Sequence, residues 1–188
     1  MVHDTQSLNQ NRQDLHSYDE IWIFGYGSLI YKVDFPYLNK SPALIKDWQR
    51  RFWQGSHDHR GTPDQPGRVL TLVEAENAEC YGMAYQVTAD EFEHLDHREK
   101  NGYLRYEIDI FLISGQVKKG LVYIASQDNE AFLGPASEQK IAAHIFKSKG
   151  PSGENKDYVF QLGAALRQAN EVDEHVFSIE KYLLSLDT

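Results

Sequence analysis

The chain has a single cysteine, Cys80, two methionines and no long apolar run. One thiol excludes an internal disulfide. Stretches such as Ile21–Phe24 and Leu121–Ala125 fall far short of the roughly 18 residues that a membrane-spanning helix needs. Basic residues are the minority, 19 Lys and Arg against 28 Asp and Glu, for a formal charge of −9. Affinity for a phosphate backbone comes largely from cations that displace counterions, so nucleic acid is not an expected partner, and neither is a membrane. Residues 1–20 lack the basic start and apolar stretch of a secretory signal, which leads to the expectation of a cytoplasmic, cytosolic protein.

What is present suits one ordinary domain of about 100–200 residues: 41% of the 188 residues are hydrophobic and 25% charged. A chain of this length buries about 70% of its unfolded surface, enough for a core without disulfide or metal. Residues 1–20 are polar and offer little apolar area against the entropy of ordering. They are expected to form a flexible N-terminal tail outside a domain spanning 21–188, with a docked arm as the alternative.

Apolar, aromatic and β-branched runs bounded by Gly, Pro, Asn and Asp predict strands near Ile21–Tyr26, Ala43–Gln54, Val69–Glu74, Cys80–Val87, Tyr103–Ile113 and Val117–Ala125. Thr88-Ala89-Asp90-Glu91 reads as a capping box opening a short helix. That helix should stop near Lys100, ahead of Asn101-Gly102, residues that tolerate the left-handed conformation. Ile141, His144, Ile145 and Lys149 suit a second helix, Phe160, Ala164, Ala165 and Leu166 a third, and Val176, Ile179, Tyr182, Leu183 and Leu186 a fourth. Strands followed by helices without strict alternation predict an α+β domain built on a mixed sheet or small barrel.

Two features could carry chemistry. The first is Phe24-Gly25-Tyr26-Gly27-Ser28-Leu29, directly after an apolar strand. Its glycines could take positive φ and present successive N–H groups to an anion, or simply bend the chain. Nucleotide-binding patterns are incomplete here, and Ile30 stands where a serine nucleophile elbow needs glycine. The second is Glu99, which shares a helix face with Phe92 and Leu95 and so points toward the core. It is either a carboxylate set for proton transfer or a helix-terminal partner of Arg98 or Lys100. Glu91, Glu93 and Asp96 read as solvated charge. His57, His59, His94 and His97 complete no recognisable metal-ligand set, so no metal or other cofactor is expected. Cys80 reads as a small buried residue without a role. Arg50, Arg51 and Arg60, with Trp48, Phe52 and Trp53 interleaved, resemble a nucleic-acid surface, but the acidic remainder favours a core strand with paired arginines.

Phe24–Ile30 leading into Val33-Asp34-Phe35-Pro36-Tyr37, then Arg51–Gly61 and Pro66-Gly67-Arg68-Val69, resemble the ChaC-type glutathione-specific γ-glutamylcyclotransferases. Leu95-Asp96-x-Arg98-Glu99-Lys100-x-Gly102-Tyr103, Leu133–Ala136 and Gly150-Pro151-Ser152-Gly153 extend the resemblance, with Asn101 where the family usually has glycine. The resemblance implies a γ-glutamylcyclotransferase-like fold, a small mixed β-barrel with surrounding helices. It implies cleavage of glutathione to 5-oxoproline and cysteinylglycine, with Glu99 as general acid/base and the Phe24–Leu29 loop holding the γ-glutamyl group. Tyr158 resembles a substrate-contacting family tyrosine, although a core tyrosine reads equally well, and Arg60 is a candidate for drawing in the anionic substrate. The expected partner is that small molecule, with no obligate protein partner evident. A non-catalytic module binding γ-glutamyl compounds, and a cyclotransferase acting on other γ-glutamyl amino acids or amines, are the alternatives.

Overall fold

The alternating apolar runs become five strands that close on themselves. In the computed structural model, which describes residues 4–188, β1 (Ile21–Gly25), β2 (Asn39–Ser56), β3 (Gly67–Val87), β4 (Leu104–Leu112) and β5 (Val117–Ile124) form a closed barrel in the order β1-β3-β2-β4-β5. β1 is antiparallel to β3, from Ile21↔Val87 to Gly25↔Met83, and parallel to β5 at Ile23↔Leu121, which makes the barrel mixed. β4 and β5 pair from Leu104↔Ile124 to Phe111↔Val117, and β2 meets the far end of β4 at Ala43↔Leu112 and Leu44↔Phe111. The two strands expected at Val69–Glu74 and Cys80–Val87 are one. The polar Glu74–Glu79 stretch reads as a turn, but it continues as strand through Asn77, a residue type that tolerates its φ of 64°. The Asn77 N–H donates to Asp47 Oδ1 at 2.8 Å, and Asp47 in β2 is itself left-handed at φ 67°.

The chain falls into two compact units: Met1–Arg50 with Leu72–Glu130, and Arg51–Thr71 with Ala131–Thr188. The first unit's core gathers Ile21, Ile23, Leu29, Phe35, Tyr85, Leu121 and Tyr123 around Phe92 and Leu95 of α2 (Phe92–Arg98). Each such side chain contributes about 1.5–3 kcal/mol by leaving water. The Thr88 side chain makes no capping bond, and a single 3-10 turn, Ala89–Glu91, precedes the helix. The helix ends as expected, with Gly102 at φ 93°.

Residues 4–20 are docked on the first unit, not free; residues 1–3 of the expected tail lie outside the described residues. Their segment contains α1 (Gln6–Asn9), and Asn9 is fully buried. This arm needs little apolar area because it binds by hydrogen bonds to main-chain groups of the Lys100–Arg105 segment, which polar residues supply.

The second unit is built on α3 (Glu138–Lys147), α4 (Asn155–Gln168) and α5 (Glu174–Leu186), with a tight hairpin, β6 (Lys149–Gly150) and β7 (Gly153–Glu154), between α3 and α4. Lys149 belongs to that hairpin, not to a helix. The buried face of α4 is Tyr158, Val159, Leu162 and Leu166, which includes the expected Leu166 but is out of phase with Phe160, Ala164 and Ala165. On α5, Val176, Ile179 and Leu183 are buried as expected, whereas Tyr182 and Leu186 are exposed.

His175 of α5 is buried against β2: its ring stacks on Phe52 at 6.0 Å, Nε2 accepts the Phe52 N–H at 3.1 Å, and Nδ1 lies 3.4 Å from Glu138. Burial, aided by the charge of Arg51, lowers its pKa to about 4. The unfolded chain therefore binds the extra proton first as pH falls from about 6.5 to 4, and stability drops across that window, by up to about 3 kcal/mol. Urea unfolding at pH 7 and pH 4.5 should show His175→Gln, which can still accept from Phe52, losing less stability on acidification than the wild type does.

Candidate active site

The loop after β1 is fixed from three sides. Tyr26 is buried, its hydroxyl donating to the Tyr123 carbonyl at 2.6 Å, while its own carbonyl accepts from Arg50 Nη1 at 3.0 Å. Arg50 is itself buried and also donates to the Tyr81 carbonyl and to Cys80 Sγ, at 3.1 Å for the sulfur. The expected core arginine thus pairs with carbonyls and a thiol, and Cys80 is buried as anticipated. Glycine is needed at position 25 because a Cβ there would strike the Leu29 Cβ. Positive φ is not the reason: among the described residues, glycines in that region are Gly102, Gly115, Gly134 and Gly153.

The chain then makes one 3-10 turn, Ser28–Ile30, whose Ile30 N–H bonds the Gly27 carbonyl at 3.0 Å. Phe24, Gly25, Tyr26, Gly27 and Leu29 are all buried, and Ser28 alone of the loop is partly exposed. Leu29 packs in the core, with its carbonyl accepting from the Tyr85 hydroxyl at 2.6 Å. Any ligand held here would meet backbone and Ser28, not the apolar side chains.

Glu99 lies some seventy residues later, at the C-terminal cap of α2, with its side chain 21% exposed. The adjoining Arg98 joins it to the loop. Arg98 Nη1 donates to Glu99 Oε1, Nη2 donates to Ser28 Oγ at 2.8 Å, and Nε lies 3.3 Å from Asp34 Oδ2. His94 approaches the same Asp34 oxygen at 3.7 Å. Glu99 is thus the partner of a neighbouring cation, and the same cation bonds the loop at Ser28.

Asp96 is not solvated charge. It is 3% exposed, accepts from the Tyr123 hydroxyl at 2.6 Å and faces Arg105 Nε at 3.5 Å. Residues 92, 95, 96 and 99 follow the i, i+3, i+4, i+7 rule, so Asp96 belongs to the buried face beside Glu99. Burial raises its pKa despite Tyr123 and Arg105, and burial next to Asp96 pushes the Tyr123 hydroxyl well above its usual value.

Ser28 is poorly arranged as a nucleophile, since its recorded partner is a guanidinium, which can donate but cannot take a proton. Among the described residues, no group of three His, Cys, Asp or Glu side chains could hold a metal ion, and no helix is long and apolar enough to cross a membrane.

In the second unit, Arg60 and Tyr158 come together: the guanidinium sits over the ring at 5.7 Å and donates to the Glu154 carbonyl at 2.9 Å. Tyr158 is buried and meets Phe52 edge-on at 5.8 Å. What sequence reasoning missed is the reach of Arg98 to Ser28 and Asp34, and the buried pairing of Asp96 with Tyr123. The spacing of Asp96 from Phe92 was an available signal; the remote pairings had none.

Residues 21–185 match the ChaC-like protein family. The chain is 46% identical to γ-glutamylcyclotransferase 2-3 of Arabidopsis thaliana, over 83% of this chain and 84% of that one. It is 42% identical to glutathione-specific γ-glutamylcyclotransferase 1 of Danio rerio, over 88% and 89%. Among solved structures it resembles the yeast γ-glutamylcyclotransferase specific to glutathione, with a TM-score of 0.81 and 32% identity over 89% of this chain and 97% of that one.

The steric demand at position 25 is directly testable. Gly25→Ala sets a Cβ against the backbone-attached Leu29 Cβ, which cannot swing aside, and should cost about 1–3 kcal/mol in urea unfolding.

Proposed function

The chain belongs to the ChaC-like family, and on that premise we propose that it is a glutathione-specific γ-glutamylcyclotransferase of the cytosol, releasing 5-oxoproline and cysteinylglycine, with Glu99 as its general acid/base. The observation that carries this assignment is Arg98, which bonds Glu99 and Ser28 at once and so ties the proton-transfer group to the glycine loop.

The reaction needs little from the protein beyond placement and a group that relays protons from the attacking nitrogen to the departing one. Glu99 accepts a proton from the substrate's α-ammonium, and the freed amine attacks the γ-carbonyl carbon of the same residue. A five-membered ring closes, and negative charge collects on the carbonyl oxygen. Collapse breaks the γ-glutamyl C–N bond as Glu99 returns that proton to the departing cysteinyl nitrogen; the ring nitrogen, still one proton richer than a lactam N–H, gives its extra proton to Glu99, from which it passes to the released amine. Nucleophile and electrophile are already tethered, so folding the substrate into a near-attack geometry removes several kcal/mol of barrier. The Arg98 cation and the backbone N–H groups at the start of the Ser28–Ile30 turn are the donors available to the developing charge or to the α-carboxylate. Tyr158 is proposed as a further substrate contact on the family pattern, and Arg60 as a cation that draws in the anionic substrate.

Purified protein incubated with glutathione should release 5-oxoproline and cysteinylglycine in equal amounts; neither appearing sinks the assignment, and binding without turnover points to the non-catalytic alternative. Glu99→Gln keeps the shape of the side chain and should fold normally while losing about 10²–10⁴-fold in kcat. Because the nucleophile is the substrate's own amine, glutathione acetylated on its α-nitrogen should give no 5-oxoproline. Turnover of other γ-glutamyl amino acids or amines at the rate of glutathione removes the specificity from the proposal.

A further inference from the structure

The arm formed by residues 4–13 lies outside the stretch that matches the family, which begins at residue 21, yet its contacts converge on the segment that follows Glu99. The Thr5 N–H donates to the Lys100 carbonyl at 2.8 Å, and Thr5 Oγ1 lies 3.0 Å from that carbonyl and 2.6 Å from the carbonyl of Tyr103. Asp4 and Asn101 form an antiparallel bridge. Asn9 is fully buried and both ends of its amide are used: Nδ2 donates to the Tyr103 carbonyl at 3.0 Å, and Oδ1 accepts the Arg105 N–H at 2.9 Å. Arg12 Nε and Gln13 Nε2 both donate to the Arg105 carbonyl, at 2.7 and 3.1 Å.

The Arg105 N–H and carbonyl are groups at the start of β4 that a neighbouring strand would satisfy. β2 reaches β4 at its other end, at Leu112 and Phe111, and the arm takes the beginning. A second connection runs through side chains. The Arg105 guanidinium donates to the Asn9 carbonyl and faces Asp96, three residues before Glu99, at 3.5 Å. Glu99 is thus bracketed. On one side Arg105 and Tyr123 hold Asp96; on the other Thr5 holds Lys100, the next residue in the chain.

We propose that this arm positions the acid–base glutamate, with Thr5 and Asn9 as positioning residues that fix the Lys100–Arg105 segment and with it the place of the Glu99 carboxylate against the glycine loop. The proposal rests on the cyclotransferase reading for its consequence in turnover, and on the arm's geometry alone for its consequence in order. A glutamate displaced by a fraction of an ångström still lets glutathione bind but delivers its proton poorly, so the effect belongs in kcat and not in KM.

The test uses the full chain and four variants: Thr5→Val, which keeps the shape and removes the hydroxyl; Thr5→Ser, which restores it; Asn9→Ala; and Leu8→Ala, an exposed neighbour on the same arm. We expect Thr5→Val and Asn9→Ala to lower kcat by about tenfold or more with KM changed by less than about twofold. Thr5→Ser and Leu8→Ala should retain wild-type turnover. Amide hydrogen exchange should quicken in residues 100–105 of Thr5→Val while α5 stays protected. Wild-type kcat in both Thr5→Val and Asn9→Ala overturns the proposal, and so does exchange that quickens throughout the chain, since that is a loss of global stability. Should the wild-type protein release no 5-oxoproline, the cyclotransferase reading falls by itself, and the exchange comparison still decides whether the arm holds this segment. If Asn9→Ala does not fold, the Thr5 pair carries the decision.

Discussion

The buried group of Asp96, Tyr123 and Arg105 is the point from which the first unit hangs. Asp96 anchors α2 from within the helix, and Tyr123 supplies its hydroxyl to Asp96 while its carbonyl receives Tyr26. Arg105 reaches the opposite way, to Asn9 of the arm, with its guanidinium also over the Phe92 ring at 5.1 Å. Helix, loop and arm therefore share one set of partners in a setting where water cannot substitute for any of them. Removing one member of a buried charged group typically costs about 3–5 kcal/mol, because the others are left uncompensated. The cluster makes no chemistry of its own, but it sets the frame in which Arg98 can hold a carboxylate and a serine together.

The parts of this protein that were readable from sequence are those in which side chains are sorted by polarity. β1, β4 and β5 follow their apolar runs, and α5 follows its three-and-four spacing. The spacing of Glu99 from Phe92 and Leu95 places it on the inward face of its helix, and its side chain is 21% exposed. The failures have a common cause. Asn9 and Asn155 are both fully buried, and each uses its amide to pair with strand backbone, Asn155 accepting from the Arg68 N–H and donating to its carbonyl, both at 2.8 Å. A residue that enters the interior by imitating a peptide group leaves no trace in a hydropathy pattern. Asp96 and Arg105 were lost for a related reason, since burial there depends on partners 27 and 9 positions away.

The second unit shows the same economy with aromatic rings. Phe52 receives His175 on its face and Tyr158 on its edge, and its backbone serves both a histidine nitrogen and, through its carbonyl, Arg68 at 2.9 Å. Keeping His175 neutral is part of that packing, because a protonated ring could no longer accept from the Phe52 N–H.

The arm's manner of binding also decides where selection can act on it. Thr5, Asn9, Arg12 and Gln13 address carbonyls and N–H groups of positions 100–105, which every amino acid except proline presents alike. Apart from Arg105, whose guanidinium holds the Asn9 carbonyl, the segment is free to change its side chains without losing these bonds. The arm has less freedom: these bonds are made by its own four polar residues, so drift at most positions of the segment is silent and drift at those four is not.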